Sequence, residues 1–236
     1  GSLCGELDIR FTPKLTVATL ALYQFVVDSL PATPTKFHYI FNLRDLSRVF
    51  EGLCRATPDM FATDASVVRL WRNEVVRVFI DRMADEDDRK LVNSKVESIV
   101  RAEFPGHSDV ALQDPMTFGD FGDYQPDSEK PRLHLYQAFG ADFNNVRSVL
   151  DLMLEEVNTP TVRLDLVMFD MAVDHLLRIV RVLSLPRGNL LLIGVGGSGK
   201  QSLTKLATIA CQMSLFEIFL ARGYSEDTFR EDLKRL

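Results

Sequence analysis

The sequence predicts a mainly α-helical protein with a partial α/β phosphate-loop (P-loop) portion at its C-terminus. Three observations carry that reading. Apolar residues recur at helical spacing through most of the chain up to Leu183. Two short apolar runs with strand character, Leu190–Ile193 and Leu215–Leu220, both fall in the last third. Between the first run and a further helical pattern lies a glycine-rich turn, Gly194-Val195-Gly196-Gly197-Ser198-Gly199-Lys200-Gln201-Ser202.

In chain order, Leu15 to Leu30 presents Leu20, Tyr23, Val26, Val27 and Leu30 on one helical face, and Pro31 and Pro34 end it. Asn42 is placed to cap a second helix with the stripe Leu43, Leu46, Val49, Phe50 and Leu53. From Ser66 to Met83 the apolar positions are Val67, Leu70, Trp71, Val75, Val78 and Phe79, and Arg69, Arg72, Asn73, Arg77 and Asp81 read as a solvated opposite face. Asp85-Glu86-Asp87-Asp88 reads as the acidic first turn of a helix continued by Val92, Val96, Ile99 and Val100, in preference to a metal cluster.

Pro105 to Pro131 has no periodicity and many turn residues, so a long surface loop is expected, pinned by Phe118, Phe121 and Tyr124. Asp142 to Val157 returns to helix, and Asn158-Thr159-Pro160 breaks it at the expected domain boundary. Leu166 to Leu183 is predicted to be helical, with Asp170, Asp174, Arg178 and Arg181 on its outer face. Pro186-Arg187-Gly188 then turns the chain into the first strand, and Ser225 caps a last helix from Glu226. The tally is about seven helices and two strands.

The chain has 236 residues, 46% hydrophobic and 25% charged, which suits an ordinary globular protein of one large or two small domains. A net charge of −6 gives no general attraction to nucleic acid or to an anionic membrane. No apolar run approaches the roughly 18 to 20 residues that span a bilayer, and no signal peptide is evident, so an intracellular protein is expected. Cys4, Cys54 and Cys211 are widely spaced and read as free thiols, with no metal site. Gly1-Ser2 has the form of a protease-cleavage remnant, so an excised piece of a longer protein is expected.

The glycine-rich turn has the residue types that polyphosphate binding demands. Backbone N–H groups must approach phosphate oxygens closely, and glycine allows both the approach and positive φ. Lys200 then reaches the β and γ phosphates, and the helix that follows points its unpaired N–H groups and positive dipole end at the same charge. Gly194 to Lys200 fits the G-x-x-x-x-G-K spacing. The next position, where a Ser or Thr hydroxyl usually holds Mg²⁺, is Gln201, with Ser202 one step round the helix. Nucleotide binding is expected to survive that change, while metal positioning is weakened.

Three stretches together resemble the motor ring of dynein heavy chains: Lys36 to Phe50; Leu185-Pro186-Arg187-Gly188 through Gly194 to Leu203; and Ala221-Arg222-Gly223-Tyr224-Ser225 with Phe229 to Leu233. The resemblance implies that residues 1–158 are the helical small subdomain of the third AAA+ module, and that residues 159–236 open the large α/β subdomain of the fourth. The Gly-Lys-Gln-Ser form of the loop is itself similar to that fourth module. By the same resemblance, Arg44 would sense the γ phosphate of the third module's nucleotide, and Leu166 and Val167 would stand near an adenine.

The resemblance further implies ATP or ADP with Mg²⁺ as cofactors, and the rest of the motor ring and other dynein chains as partners. Microtubules would be reached through regions outside this chain, and neither nucleic acid nor membrane is expected as a partner. The implied location is the cytoplasm, the cytoskeleton and the ciliary axoneme, with axonemal type favoured. No catalytic residue is assigned, and hydrolysis by this piece alone is not expected, for want of Walker B carboxylates and an arginine finger. The small subdomain and the following large subdomain are expected to pack as one block through the Asp142 and Leu166 helices. Unpaired strand edges after Pro186 imply a dimer, swapped strands or local disorder. Two other readings stay open: a stand-alone P-loop NTPase or kinase, and a structural spacer whose loop holds no nucleotide.

Overall fold

The computed structural model describes residues 11–126, 132–158, 164 and 166–235. Gly1, Ser2, Cys4, Pro131, Thr159 and Pro160, named above, lie outside the described residues.

Helices α1 (Phe11–Ser29), α2 (Leu43–Leu53), α3 (Asp64–Val75) and α4 (Glu86–Glu103) surround a first core that contains Leu22, Val26, Leu70, Trp71, Phe79 and Val100. Their starts are set by short polar side chains. Asn42 Oδ1 accepts from the Arg44 N–H while the Asn42 N–H donates to Asp45 Oδ2, both at 2.9 Å. Thr63 and Ser66 cap α3 in the same reciprocal way, and Asp85 caps α4 through the Asp87 N–H. The acidic run at 85–88 is therefore a helix start, as its pattern predicted. Asp88 also turns inward to accept from Lys36 Nζ at 2.6 Å and from the Tyr39 hydroxyl at 2.8 Å.

Two predicted faces hold in part: Tyr23, Val26 and Leu30, and Leu46, Val49, Phe50 and Leu53, lie in or against the core as expected. On α1 the core is made by Leu15, Ala18, Leu22 and Val26, while Leu20 and Val27 face outward. On α2, Leu43 is exposed, and Leu46, Val49 and Leu53 hold the core.

The largest correction concerns α3. Its polar side is not solvated: Arg69, Arg72 and Asn73 are buried, as is Glu74, and α3 continues into a π-helical segment, Val76–Ile80. Arg69 donates to the carbonyls of Pro115 and Gly140, and Arg72 to those of Ala111 and Gln113. The segment predicted to be a bare loop folds over this face and supplies all of those acceptors but Gly140, which ends a later strand. It contains a 3₁₀ turn (Pro105–His107), the short helix α5 (Ser108–Ala111) and strand β1 (Thr117–Gly119). Lining up arginines on one helix side cannot distinguish water from carbonyl oxygens as their partner.

Strand β1 pairs antiparallel with β2 (Gln137–Gly140), with Phe118 opposite Ala138 and an irregularity after Thr117. The expected aromatic pinning is present, and the ribbon that carries it, which was not expected, joins two cores. Phe118 stacks between Phe61 and Tyr136 in the first core, and Phe121 packs on Phe139 at 5.0 Å in the second.

The second core draws on α6 (Asn144–Val157), α7 (Asp170–Leu183) and α8 (Lys200–Ala210), through Leu150, Met153, Val173, Leu176, Leu206 and Ala207. A final helix, α9 (Glu226–Leu233), starts at Ser225 as predicted. Neither strand predicted in the last third is present among the described residues. A strand needs a hydrogen-bonded neighbour, and no described residue supplies one to 190–193 or to 215–220. The first run is mostly exposed: Leu190, Leu191, Ile193 and Val195 are 40%, 81%, 87% and 79% exposed, and Leu192 alone of these packs against the second core.

Candidate functional site

The loop between that extended run and α8 brings the predicted residues into one compact turn. Gly197 and Gly199 adopt φ of +74° and +79°. A Cβ at either would meet open space, so it is the left-handed backbone and not crowding that calls for glycine there. Lys200, the first residue of α8, folds back over the loop. Its ammonium donates to the carbonyls of Gly194 (2.8 Å) and Val195 (2.7 Å) and to Ser198 Oγ (3.0 Å). Gln201 is exposed on the outer side of the helix, and Ser202 is half-buried.

This arrangement fits a polyphosphate. Gly199 stands at the N-cap of α8 with no side chain to serve the N–H groups of the first turn, so those donors and the helix dipole face the loop together. The three acceptors now on Lys200 are neutral oxygens, and an anionic phosphate oxygen adds a charge–charge attraction to the ammonium that they lack. Beside the loop is a cavity of about 830 Å³, lined by Val195, Ser198 and Lys200 on one side and by Arg48, Arg82 and Arg178 from α2, the segment after the π turn, and α7. The last three arginines are held by carboxylates: Arg48 and Arg82 by Asp45, and Arg178 by Asp174 and Asp81.

The helix of the loop is fixed at its C-terminal end. Arg132 Nη2 donates to the Ala210 (2.7 Å) and Ile209 (3.3 Å) carbonyls at the C-terminal end of α8. Cys211 lies beside Ser184 at the end of α7, and burial raises the pKa of its thiol.

The residues named by resemblance are spread out. Arg44 is exposed at the start of α2, Leu166 packs on the second core, and Val167 is 81% exposed. Among the described residues no group of His, Cys, Asp and Glu is arranged to hold a metal ion.

A cluster that the sequence reading missed sits behind the site. Glu74 is fully buried, and its carboxylate accepts from Tyr136 Oη (3.0 Å), Asn73 Nδ2 (3.0 Å) and Arg181 Nε (3.0 Å), with a further bond to Arg181 Nη2. Arg181 was expected on the outer face of α7 and is buried instead. The signal was present: Glu74 falls four residues after Leu70 and four before Val78, on the apolar side of its own helix.

A glycine loop cradling the lysine of the helix it precedes, attached to a helical lid-like bundle, defines a P-loop protein of the AAA+ kind. Residues 15–114 match the AAA+ lid domain family, and residues 164–236 match the family described as P-loop containing dynein motor region D4. The chain is 49% identical to human dynein axonemal heavy chain 10 and 47% identical to the dynein-1-alpha heavy chain of the flagellar inner arm I1 complex of Chlamydomonas reinhardtii, each over 98% of its own length. Identity to human dynein axonemal heavy chain 2 is 40% over 94% of the chain. The chain belongs to the dynein heavy chain family, in its motor region, and spans 5% of the length of each of these relatives.

Proposed function

We propose that this chain is a regulatory, nucleotide-binding block of an axonemal dynein motor, in which the loop from Gly194 to Ser202 holds the phosphates of ATP or ADP. The observation that carries this is the convergence of Lys200, two left-handed glycines and an uncapped helix start on one point. Residues 1–158 act as the small helical subdomain of one AAA+ module and residues 159–236 as the opening of the large subdomain of the next. Mg²⁺ arrives on the nucleotide, and with Gln201 after the lysine the chain contributes little to its positioning. The whole protein works on microtubules in the ciliary axoneme, with the remaining ring modules and other dynein chains as partners. In isolation, the exposed edge at Leu191, Ile193 and Val195 favours self-association.

The test is a calorimetric titration of ADP and ATP, with Mg²⁺, into this chain and its Lys200→Ala variant. Binding that the variant loses supports the assignment. Equal binding by both, or none by either, overturns it in favour of a structural spacer.

A further inference from the structure

The buried charges behind the site link the two halves of the chain to the loop. Glu74 joins four elements: α3, which carries it; α7, through Arg181; the approach to β2, through Tyr136; and α2, through Gly52, where a Cβ would stand 1.8 Å from Glu74 Oε2. Beside it runs a closed cycle of ion pairs. Arg77 binds Asp81 (3.1 Å) and Asp174 (3.1 Å), and Arg178 binds Asp174 (2.5 Å) and Asp81 (3.3 Å). The π-helical turn, closed by the Asp81 N–H on the Val76 carbonyl at 3.0 Å, presents both Arg77 and Asp81 to α7.

Helix α7 in turn governs the loop at both of its ends. At the entry, the Gly188 N–H donates to the Leu185 carbonyl (3.0 Å), and a Cβ on Gly188 would stand 1.8 Å from the Val182 carbonyl. The chain therefore leaves α7 through a turn whose Gly188 lies against the last carbonyls of that helix, and then runs exposed into the extended segment. At the exit, α8 packs along α7 in the second core, with Cys211 beside Val180 and Ser184. A tilt of α7 moves the loop's entry and Lys200 together.

We propose that the Glu74–Arg181 junction and the Arg77–Asp81–Arg178–Asp174 cycle are positioning devices that hold the phosphate loop in its binding geometry. The affinity of the loop is then coupled to the interface between the two halves. The coupling is reciprocal: nucleotide on the loop tightens the interface by the same factor that the interface tightens nucleotide. This rests on the loop being a nucleotide site, and its test separates the two ideas.

The experiment compares the unaltered chain with Glu74→Gln, Arg181→Lys and Arg181→Met by two measurements. One is ADP affinity by calorimetry, and the other is amide hydrogen exchange without nucleotide. Arg181→Met is expected to weaken ADP binding about tenfold and to speed exchange across residues 188–203 about tenfold more than the general loss of stability speeds it in α1 and α4. Arg181→Lys, which retains the charge but loses the fork, falls between. If Arg181→Met does not fold, the two milder variants carry the test with the same order of effects. Uniformly faster exchange in every helix would reveal a merely structural pair and overturn the proposal, as would unchanged exchange at 188–203. Absence of ADP binding by the unaltered chain defeats the nucleotide reading alone, because the exchange measurement still decides the positioning.

Discussion

Arg181 on the last turn of α7 donates its Nε to Glu74 Oε2 at 3.0 Å, across 107 positions of sequence, and the two side chains are 8% and 0% exposed. A buried ion pair of this kind is a weak source of net stability, because removing both charges from water offsets much of their attraction. Breaking it is nonetheless costly, since the survivor is left charged in a dry site. The pair therefore matters for which arrangement of α3 and α7 the chain accepts.

Glu74→Met is expected to lower unfolding free energy by about 3–5 kcal/mol, and the double variant Glu74→Met/Arg181→Met to recover most of that loss. Urea unfolding followed by the fluorescence of Trp71, the chain's one tryptophan and fully buried, measures both. Additive losses in the double variant would contradict the pairing.

Gly52→Ala is expected to destabilise by about 1–3 kcal/mol. The added methyl meets the Glu74 carboxylate, which its bonds to Arg181 and Tyr136 keep from moving aside. Gly106→Ala, whose Cβ would meet nothing within 4 Å, is the control and should change stability by less than about 0.5 kcal/mol. Thermal midpoints of the two variants make the comparison.

Stability should be flat between about pH 4 and 10 and fall on both sides. On the acid side, the Lys36 ammonium at 3.0 Å holds the Asp85 carboxyl below its ordinary range. That contribution is complete above the unfolded value of about 3.9 and is lost as pH falls through the lower folded one. On the alkaline side, Lys36 is raised by its bonds to Asp88 and Asp85, and Tyr136 is raised by burial and by the charge of Glu74. Both contributions are complete below unfolded values of about 10 and are lost as pH rises beyond them. Lys36→Met should flatten the acid limb and part of the alkaline limb in urea midpoints taken across this range.

The nearest-neighbour features were legible in the sequence because each depends on residues a few positions apart. Asn42 with Asp45, Asp85 before its acidic turn, Ser225 before α9, and the glycines with Lys200 all act within one turn or loop. Helical periodicity placed α1 to α4 and α6 to α9, although on α1 the exposed Leu20 and Val27 show that hydrophobicity alone does not choose which apolar residues face the core.

What the sequence by itself determined is thus the longer helices, the phosphate-loop turn and the family. What only the tertiary structure decided is where the charges go. Arg69, Arg72 and Arg181 look on a helical wheel like residues for water, and they are buried because carbonyls and a carboxylate from distant segments meet them there. The same holds for strands: Leu190–Ile193 has the composition of one, but pairing is a property of two segments, and the segments that pair are the turn-rich Thr117–Gly119 and Gln137–Gly140. Local free energies are written in local sequence; the partner of a buried charge or of a backbone edge is set by which distant atoms the fold brings to it.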